Sequence, residues 1–243
     1  MALMQYTAYL RWGALSALFL ALFVPFIVAV GSFWPNLFFP YITGKNFAFR
    51  ILVEFAVLCY VLLALKDPKY RPRGSVLLWT ALAFVGWMAV ATMLSVDPLK
   101  SFWSNFERME GYIGLMHLFV WFVVAGAMLT ADKLWNAFFN TSIAASAVQG
   151  GWALFQFLGW LSISTQSGAR ADTTFGNATY LAVYLLINFF LTLFMLARTG
   201  SSRNRATLQV LYGAALVLQL FGVFFTETRG AILGVGVGLV VDA

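Results

Sequence analysis

Charge is scarce in this chain: only 10% of its 243 residues are Asp, Glu, Lys or Arg, where a soluble domain carries about a quarter. With 62% hydrophobic residues and 25 Phe, the composition excludes a water-soluble globular domain and points to a membrane protein. Cysteine is almost missing. The single Cys59 lies inside an apolar run, so an intrachain disulfide framework is excluded. Histidine is as rare, with His117 alone. One His, one Cys and few carboxylates leave no ligand spacing for a zinc or dinuclear centre, and neither a metal nor any other cofactor is expected. Glycine-rich phosphate loops, G-x-S-x-G nucleophile turns, heptads and low-complexity linkers do not occur.

What the chain does have is long apolar runs. They cover residues 12–31, 47–65, 76–94, 112–129, 134–158, 180–197 and 208–225, each near the roughly 20 residues that a helix needs to cross the hydrocarbon core. Read as single crossings, they make an all-α, polytopic membrane bundle of seven complete spans in one transmembrane domain covering 1–243. A further apolar stretch begins at Gly230 and meets Ala243 before it can cross at about 1.5 Å per residue. The expectation is therefore a truncated eighth span and the front part of a longer protein. Small residues at 29–31 would suit a signal-peptide cleavage, but the first run is long for a signal core and has one flanking arginine, Arg11; a retained anchor is expected.

Basic residues in short loops set orientation. Lys66, Lys69, Arg71 and Arg73 follow the second run and Arg198, Arg203 and Arg205 follow the sixth. With Arg11 and Lys133 they place nine of the 15 basic residues on one side. That side is expected to be cytoplasmic, with the N-terminus on it, in a bacterial inner membrane. The net charge of +6 sorts by membrane side and does not suggest nucleic acid. The loops 95–111, 159–179 and 226–229 fall on the opposite, outer face. They mix charge signs and are rich in aromatic, Gly, Asn and Thr residues, so one external site is expected there.

Three segments carry the candidates. In 101–113, Phe102, Phe106, Met109 and Ile113 recur at helical spacing, as in a short helix lying in the interface plane. Arg108 and Glu107 then point away from the apolar stripe. Solvated charges are the plain reading; a site lined by Arg108, or by Glu110 beside Gly111, is the sharper one. In 168–177, Asn177 or Thr179 can cap the following helix, turning free N–H groups and a positive dipole end outward, where an anion is favoured. Arg170 adds a fork of donors suited to phosphate, unless it simply pairs with Asp172. In 226–231, Glu227 and Arg229 sit on a break of six residues between apolar runs, and ionisable residues kept there are functional candidates. Gly230, Gly234 and Gly238 form a small-residue stripe that lets a neighbour helix approach, as do Ser142, Ser146 and Gly150. A Glu227–Arg229 pair, or snorkelling to headgroups, is the structural alternative.

Elsewhere, Arg50 and Glu54 stand four apart and would neutralise each other. His117 reads as a hydrogen-bonded packing residue that could also line a cavity near the outer end of its span. Gln149 and Gln156 read as interhelical hydrogen-bond partners.

Three stretches, 102–112 (FWSNFERMEGY), 170–181 (RADTTFGNATYL) and 226–231 (TETRGA), resemble the O-antigen ligase and O-antigen polymerase superfamily of bacterial envelope enzymes. Thr228-Arg229-Gly230-Ala231 fits the family's S/T-R-G-A turn. Arg170–Asn177 fits its R-x-x-G-T-F-x-N-P-N segment more loosely, with Ala-Thr where Pro-Asn is common. The resemblance implies a metal-independent glycosyl transferase at the outer face of the cytoplasmic membrane. It would move a glycan from an undecaprenyl-diphosphate carrier to lipid A–core, another glycan or a protein, with membrane lipids around it. On this reading Arg229 is the catalytic residue, stabilising charge on the departing diphosphate. Arg170, Arg108, Asn177, Glu227, Thr228 and Glu110 are then the candidate substrate-binding residues. The family's large external loop, with a histidine and a further arginine, would follow residue 243, so this stretch alone is expected to be inactive. His117 does not take that role.

Two other classes compete. A transporter or flippase of a lipid-linked substrate should place ionisable residues mid-span and repeat its halves; only Glu54 is well inside a run and no repeat is visible. A non-catalytic assembly subunit predicts freely replaceable polar loop residues.

Overall fold

The computed structural model describes residues 2–29, 39–105, 108–164, 167–201 and 204–241. Among them regular structure is entirely helical: α1 (Ala2–Ala21), α2 (Thr43–Lys66), α3 (Val76–Met93), α4 (Pro98–Trp103), α5 (Tyr112–Met128), α6 (Asp132–Phe157), α7 (Ala178–Ala197), α8 (Arg205–Phe225) and α9 (Arg229–Val241). The helices form two compact units, Met1–Trp135 and Asn136–Ala243, divided within the first turn of α6.

Four helical stretches are long and apolar enough to cross a membrane: α2, α3, α7 with the turn after it (Ala178–Gly200), and α8. α3 exposes Val76, Leu77, Trp79, Trp87 and Met93, and a helix apolar all round belongs in a core or in hydrocarbon. The expected seven spans are thus met in part among the described residues. α5 and α9 are apolar but shorter. α6 has the length, at 26 residues, but Asn140, Ser142, Ser146, Gln149 and Gln156 dilute it. The first run, 12–31, is not one helix. α1 begins earlier and stops at Ala21, and Val24–Phe26 forms a 3₁₀ turn around Pro25, a residue with no N–H to continue a helix. The chain then turns back, Ala29 N–H donating to the Pro40 carbonyl at 2.9 Å. Val30 and Gly31 lie outside the described residues.

In the first unit α1 and α2 run antiparallel. Gly13 leaves room for the Cys59 sulfur, which a Cβ there would meet at 3.0 Å, and the Lys66 ammonium lies over the Tyr6 ring. α2 ends at Asp67, whose side chain accepts from Lys69 N at 3.1 Å and pairs with Lys69 Nζ at 2.7 Å. The hydrogen bond from the Lys69 side chain holds the Asp67 carboxyl below its usual range.

The interface helix expected over 101–113 does not form as a continuous element. Asp97 caps α4 by accepting from Lys100 N at 3.0 Å, but α4 ends at Trp103. Ser104 and Met109 adopt positive φ (63° and 51°), which breaks helical spacing before α5 starts at Tyr112. Phe106 and Glu107 lie outside the described residues. Gly111 abuts the Phe102 carbonyl so closely that a Cβ would collide with it; local backbone packing overrides the apolar period.

In the second unit α6, α7, α8 and α9 enclose a core of Ala153, Leu181, Leu185, Phe189, Val223 and Val235. α6 and α8 touch backbone to backbone, since a Cβ at Gly150 would lie 2.5 Å from the Leu218 carbonyl oxygen and 3.1 Å from Gln219 N. The stripe on α9 is used at two of its three glycines. Gly234 faces Leu186, Gly238 faces the Phe190 ring, and Gly230 has open space around it. A buried polar series runs between these helices. Ser142 donates to Asn188 at 2.7 Å, Thr192 to Gln219 at 3.1 Å, and Gln219 to Ser146 at 2.7 Å.

Candidate functional site

The second unit gathers five of the seven candidate residues at one end, where the 158–177 loop meets the turn between α8 and α9. One backbone bond and one ring stack join them. Ala171 N–H donates to the Phe225 carbonyl at 3.1 Å, and Phe157 stacks on Phe225 with centroids 4.1 Å apart. Between them lies Arg170. Its Nε donates to the Thr226 carbonyl at 2.7 Å and its Nη2 to Thr228 Oγ1 at 2.9 Å. The planar fork of a guanidinium can serve two acceptors on one turn at once. Arg170 therefore makes no pair with Asp172, the alternative that its sequence position left open.

Asp172 is fully buried and has partners of its own. Its carboxyl accepts from Gln156 Nε2 at 3.1 Å, from Ser164 N at 3.2 Å and from the Ser164 hydroxyl. The Gln156 amide oxygen accepts in turn from Asp172 N at 3.1 Å and Thr173 N at 2.9 Å. This holds Thr173 at φ 46°, a left-handed conformation that a β-branched residue adopts only when its surroundings impose it. Gln149 adds a bond to Thr174 Oγ1 at 2.7 Å. The short 3₁₀ turn Thr173–Phe175 is thus locked from α6, and Asn177 follows as the N-cap of α7, accepting from Thr179 N at 2.9 Å.

The second polar break is shaped by Thr226, Glu227 and Thr228. Thr226 is buried and its hydroxyl donates to the Val223 carbonyl at 2.6 Å. Glu227 takes φ 50° and faces outward. Arg229 opens α9 and is exposed. Among the described residues its side chain forms no ion pair with Glu227 or any other carboxylate, so the local pair is not made. One turn further on, Ile232 joins Val217, Leu220, Phe221, Phe224 and Val235 around an apolar groove of about 560 Å³ between α8 and α9. At one end, then, the unit presents an exposed guanidinium, a second one fixed by the same turn, and a wholly apolar groove beneath.

Arg108 and Glu110 belong to the first unit. Both side chains are exposed, while the Arg108 carbonyl accepts from Asn46 Nδ2 at 2.7 Å. Arg50 Nη2 donates to the Met109 carbonyl. Arg50 and Glu54 make no ion pair at contact distance, although the Glu54 charge acts on Arg50 as the four-residue spacing suggests; Glu54 also meets His117. Sequence reasoning missed Ser164 and Thr226, and named Asp172 only as a possible partner of Arg170, because their bonds join segments that no local pattern links. For Gln156 a signal existed, since Gln149 and Gln156 are seven apart on one helix face.

Models of protein families, curated proteins and solved structures contain no match to this chain. The functional reading rests on its own residues.

Proposed function

We propose that this chain is the donor-binding part of a membrane glycan transferase that uses an undecaprenyl-diphosphate-linked substrate at the outer face of the bacterial cytoplasmic membrane. The observation that carries the reading is the Arg170 bridge. It draws RADTTFGN and TETRGA, 56 residues apart at their bonded positions, into one cluster and leaves the Arg229 guanidinium exposed beside it. In this reading Arg229 takes the diphosphate and stabilises the charge that builds on the leaving oxygen when the sugar is displaced. Arg170 shapes the turn that presents it, and Thr228 and Glu227 flank the anion. The groove between α8 and α9 accepts the first part of the polyprenyl chain, its volume lying within the roughly 300–1,000 Å³ of ligand pockets. Asn177 acts through its cap, aligning the N-terminus of α7. Arg108 and Glu110 remain candidates for the substrate's polar part. The acceptor would be lipid A–core, a glycan or a protein, and the seven crossings with a cytoplasmic N-terminus belong to the same proposal.

The test uses the full-length protein. Arg229→Ala should lower glycan transfer at least a hundredfold with normal membrane insertion, and Arg229→Lys should recover little because the fork is lost. Full activity of Arg229→Ala sinks the assignment. A transporter or flippase is the second reading, favoured by the buried polar series of Ser142, Asn188, Thr192 and Gln219 between helices. Movement of lipid-linked glycan across proteoliposomes without acceptor transfer would select it.

A further inference from the structure

The loop between α2 and α3, residues 67–75, carries Lys69, Arg71 and Arg73 against a single acid, Asp67. That acid is already used. Asp67 accepts from Lys69 N and pairs with Lys69 Nζ at 2.7 Å, and the same ammonium lies over the Tyr70 ring. Arg71 and Arg73 are both exposed. Among the described residues neither guanidinium has an ion pair or a hydrogen bond. Arg71 is extended (φ −64°, ψ 144°), the conformation favoured for a residue before proline, so Pro72 keeps the two arginines on an open strap instead of a helix.

The strap forms one wall of a groove of about 370 Å³ between α3 and α5. Lys69, Arg71, Arg73 and Ser75 make this wall polar, and no Asp or Glu lines the groove. Ser75 caps α3 by accepting from Leu78 N at 3.1 Å. The N–H groups of Val76 and Leu77 precede the first one with a helical acceptor, which adds a weak preference for negative charge. The other walls are apolar, with Leu78 on α3 and Phe122 and Gly126 on α5. A Cβ at Gly126 would meet nothing within 4 Å, so the groove is open at that point. Beside it Val76, Leu77 and Trp79 stay exposed.

Uncompensated cations on one wall and hydrocarbon on the others fit an amphiphilic anion. A free phosphate would leave Leu78, Phe122 and Gly126 uncovered. A zwitterionic lipid would bring its own ammonium against the arginines. We propose that this groove binds one anionic phospholipid. Its phosphodiester oxygens accept from Arg71 and Arg73, whose planar forks match that geometry, and the first part of one acyl chain lies along Leu78, Phe122 and Gly126. Basic pockets between membrane helices hold acidic headgroups on the same principle. The volume, within the roughly 300–1,000 Å³ of ligand pockets, suits a headgroup and the first methylenes, with the remaining chain length in the bilayer. The site lies wholly in the first unit, uses none of the residues assigned to glycan transfer, and stands or falls apart from that reading.

The test titrates the full-length protein, in an uncharged detergent, with phosphatidylglycerol or phosphatidylcholine and counts retained lipid by native mass spectrometry. One phosphatidylglycerol should be retained about tenfold more tightly than phosphatidylcholine, the scale expected of two cations near a headgroup. Arg71→Gln with Arg73→Gln should abolish this preference. Arg198→Gln with Arg205→Gln removes the same charge from the other basic loop, which does not line the groove, and should keep it. Gly126→Leu leaves every charge in place but fills the apolar part, and should weaken phosphatidylglycerol severalfold. An excess of inorganic phosphate should displace little of the lipid. Equal retention of the two lipids overturns the proposal, as does a preference that survives in Arg71→Gln with Arg73→Gln. Equal loss in the Arg198 and Arg205 variant would reduce the effect to net charge and overturn it as well. Wild-type retention in Gly126→Leu, or full displacement by inorganic phosphate, would leave a bare anion site and no lipid groove. Should the Arg71 and Arg73 variant not fold, Gly126→Leu and the phosphate competition decide.

Discussion

Arg170 and Arg229 are guanidinium groups at the same end of one compact unit, but they are held in different ways. Arg170 spends two donors on Thr226 and Thr228, and charged hydrogen bonds contribute about 1.5–3 kcal/mol each. Arg229 has no such partner among the described residues. The two alanine variants should therefore separate. Arg170→Ala should lower stability by about 2 kcal/mol, read as a lower midpoint of thermal unfolding in detergent. Arg229→Ala should leave that midpoint within about 0.5 kcal/mol of wild type while removing function. Equal destabilisation by both would mean that Arg229 is structural. Asp172 makes a further contrast at this scale. Asp172→Ala removes the acceptor of one Gln156 amide hydrogen, the amide keeping its bond to the Ser162 carbonyl, and the acceptor of the Ser164 N–H in a buried loop anchor; a stranded buried donor costs about 1–3 kcal/mol. Asp172→Asn keeps acceptor capacity on one atom and should lose less, in the same unfolding measurement.

At the scale of helices, the glycines rank by what stands opposite them. Gly150 faces the backbone of α8, which cannot rotate away, so Gly150→Ala should push α6 and α8 apart at a cost of about 1–3 kcal/mol. Gly238 faces the tip of the Phe190 ring, a side chain that can swing away about χ1, and Gly238→Ala should cost less. Gly230→Ala meets nothing within 4 Å and should be neutral or slightly stabilising, since alanine favours helix by about 0.5–1 kcal/mol. Thermal unfolding midpoints in the order Gly230→Ala, Gly238→Ala, Gly150→Ala, from highest to lowest, are the expected result. The same residues explain what was legible in the sequence. The Asn177 cap could be read because its partners lie two and three residues away, and the small-residue stripes because their spacing is helical. The partner of Arg170 could not, because it lies on another helix junction. The break of the 101–113 stripe also hid, since the close approach of Gly111 to the Phe102 carbonyl exists only once the chain has folded back.

At the scale of the whole molecule the sorting of Lys and Arg predicts which ends of the helices share a membrane side. Within each unit the contacts are consistent with the sorting by Lys and Arg. Lys66 meets Tyr6 at one end of the α1–α2 pair, while Asn46 reaches the Arg108 carbonyl at the opposite end of α2. In the second unit the 158–177 loop and the 226–228 turn share one end through Arg170. Labelling from one side of the membrane measures this sidedness directly. The chain helps, because Cys59 is its only cysteine and is buried. With Cys59→Ala as background, cysteines introduced one at a time by Arg71→Cys, Ser167→Cys and Glu227→Cys report on three loops. A membrane-impermeant maleimide added outside intact spheroplasts should label Ser167→Cys and Glu227→Cys, and should reach Arg71→Cys only after lysis. Labelling of Arg71→Cys from outside would invert the expected orientation. Opposite accessibility of positions 167 and 227 would instead contradict the bridge between their loops, which bonds Arg170 to Thr226 and Thr228, and would remove the geometric basis for a single outer-face anion site.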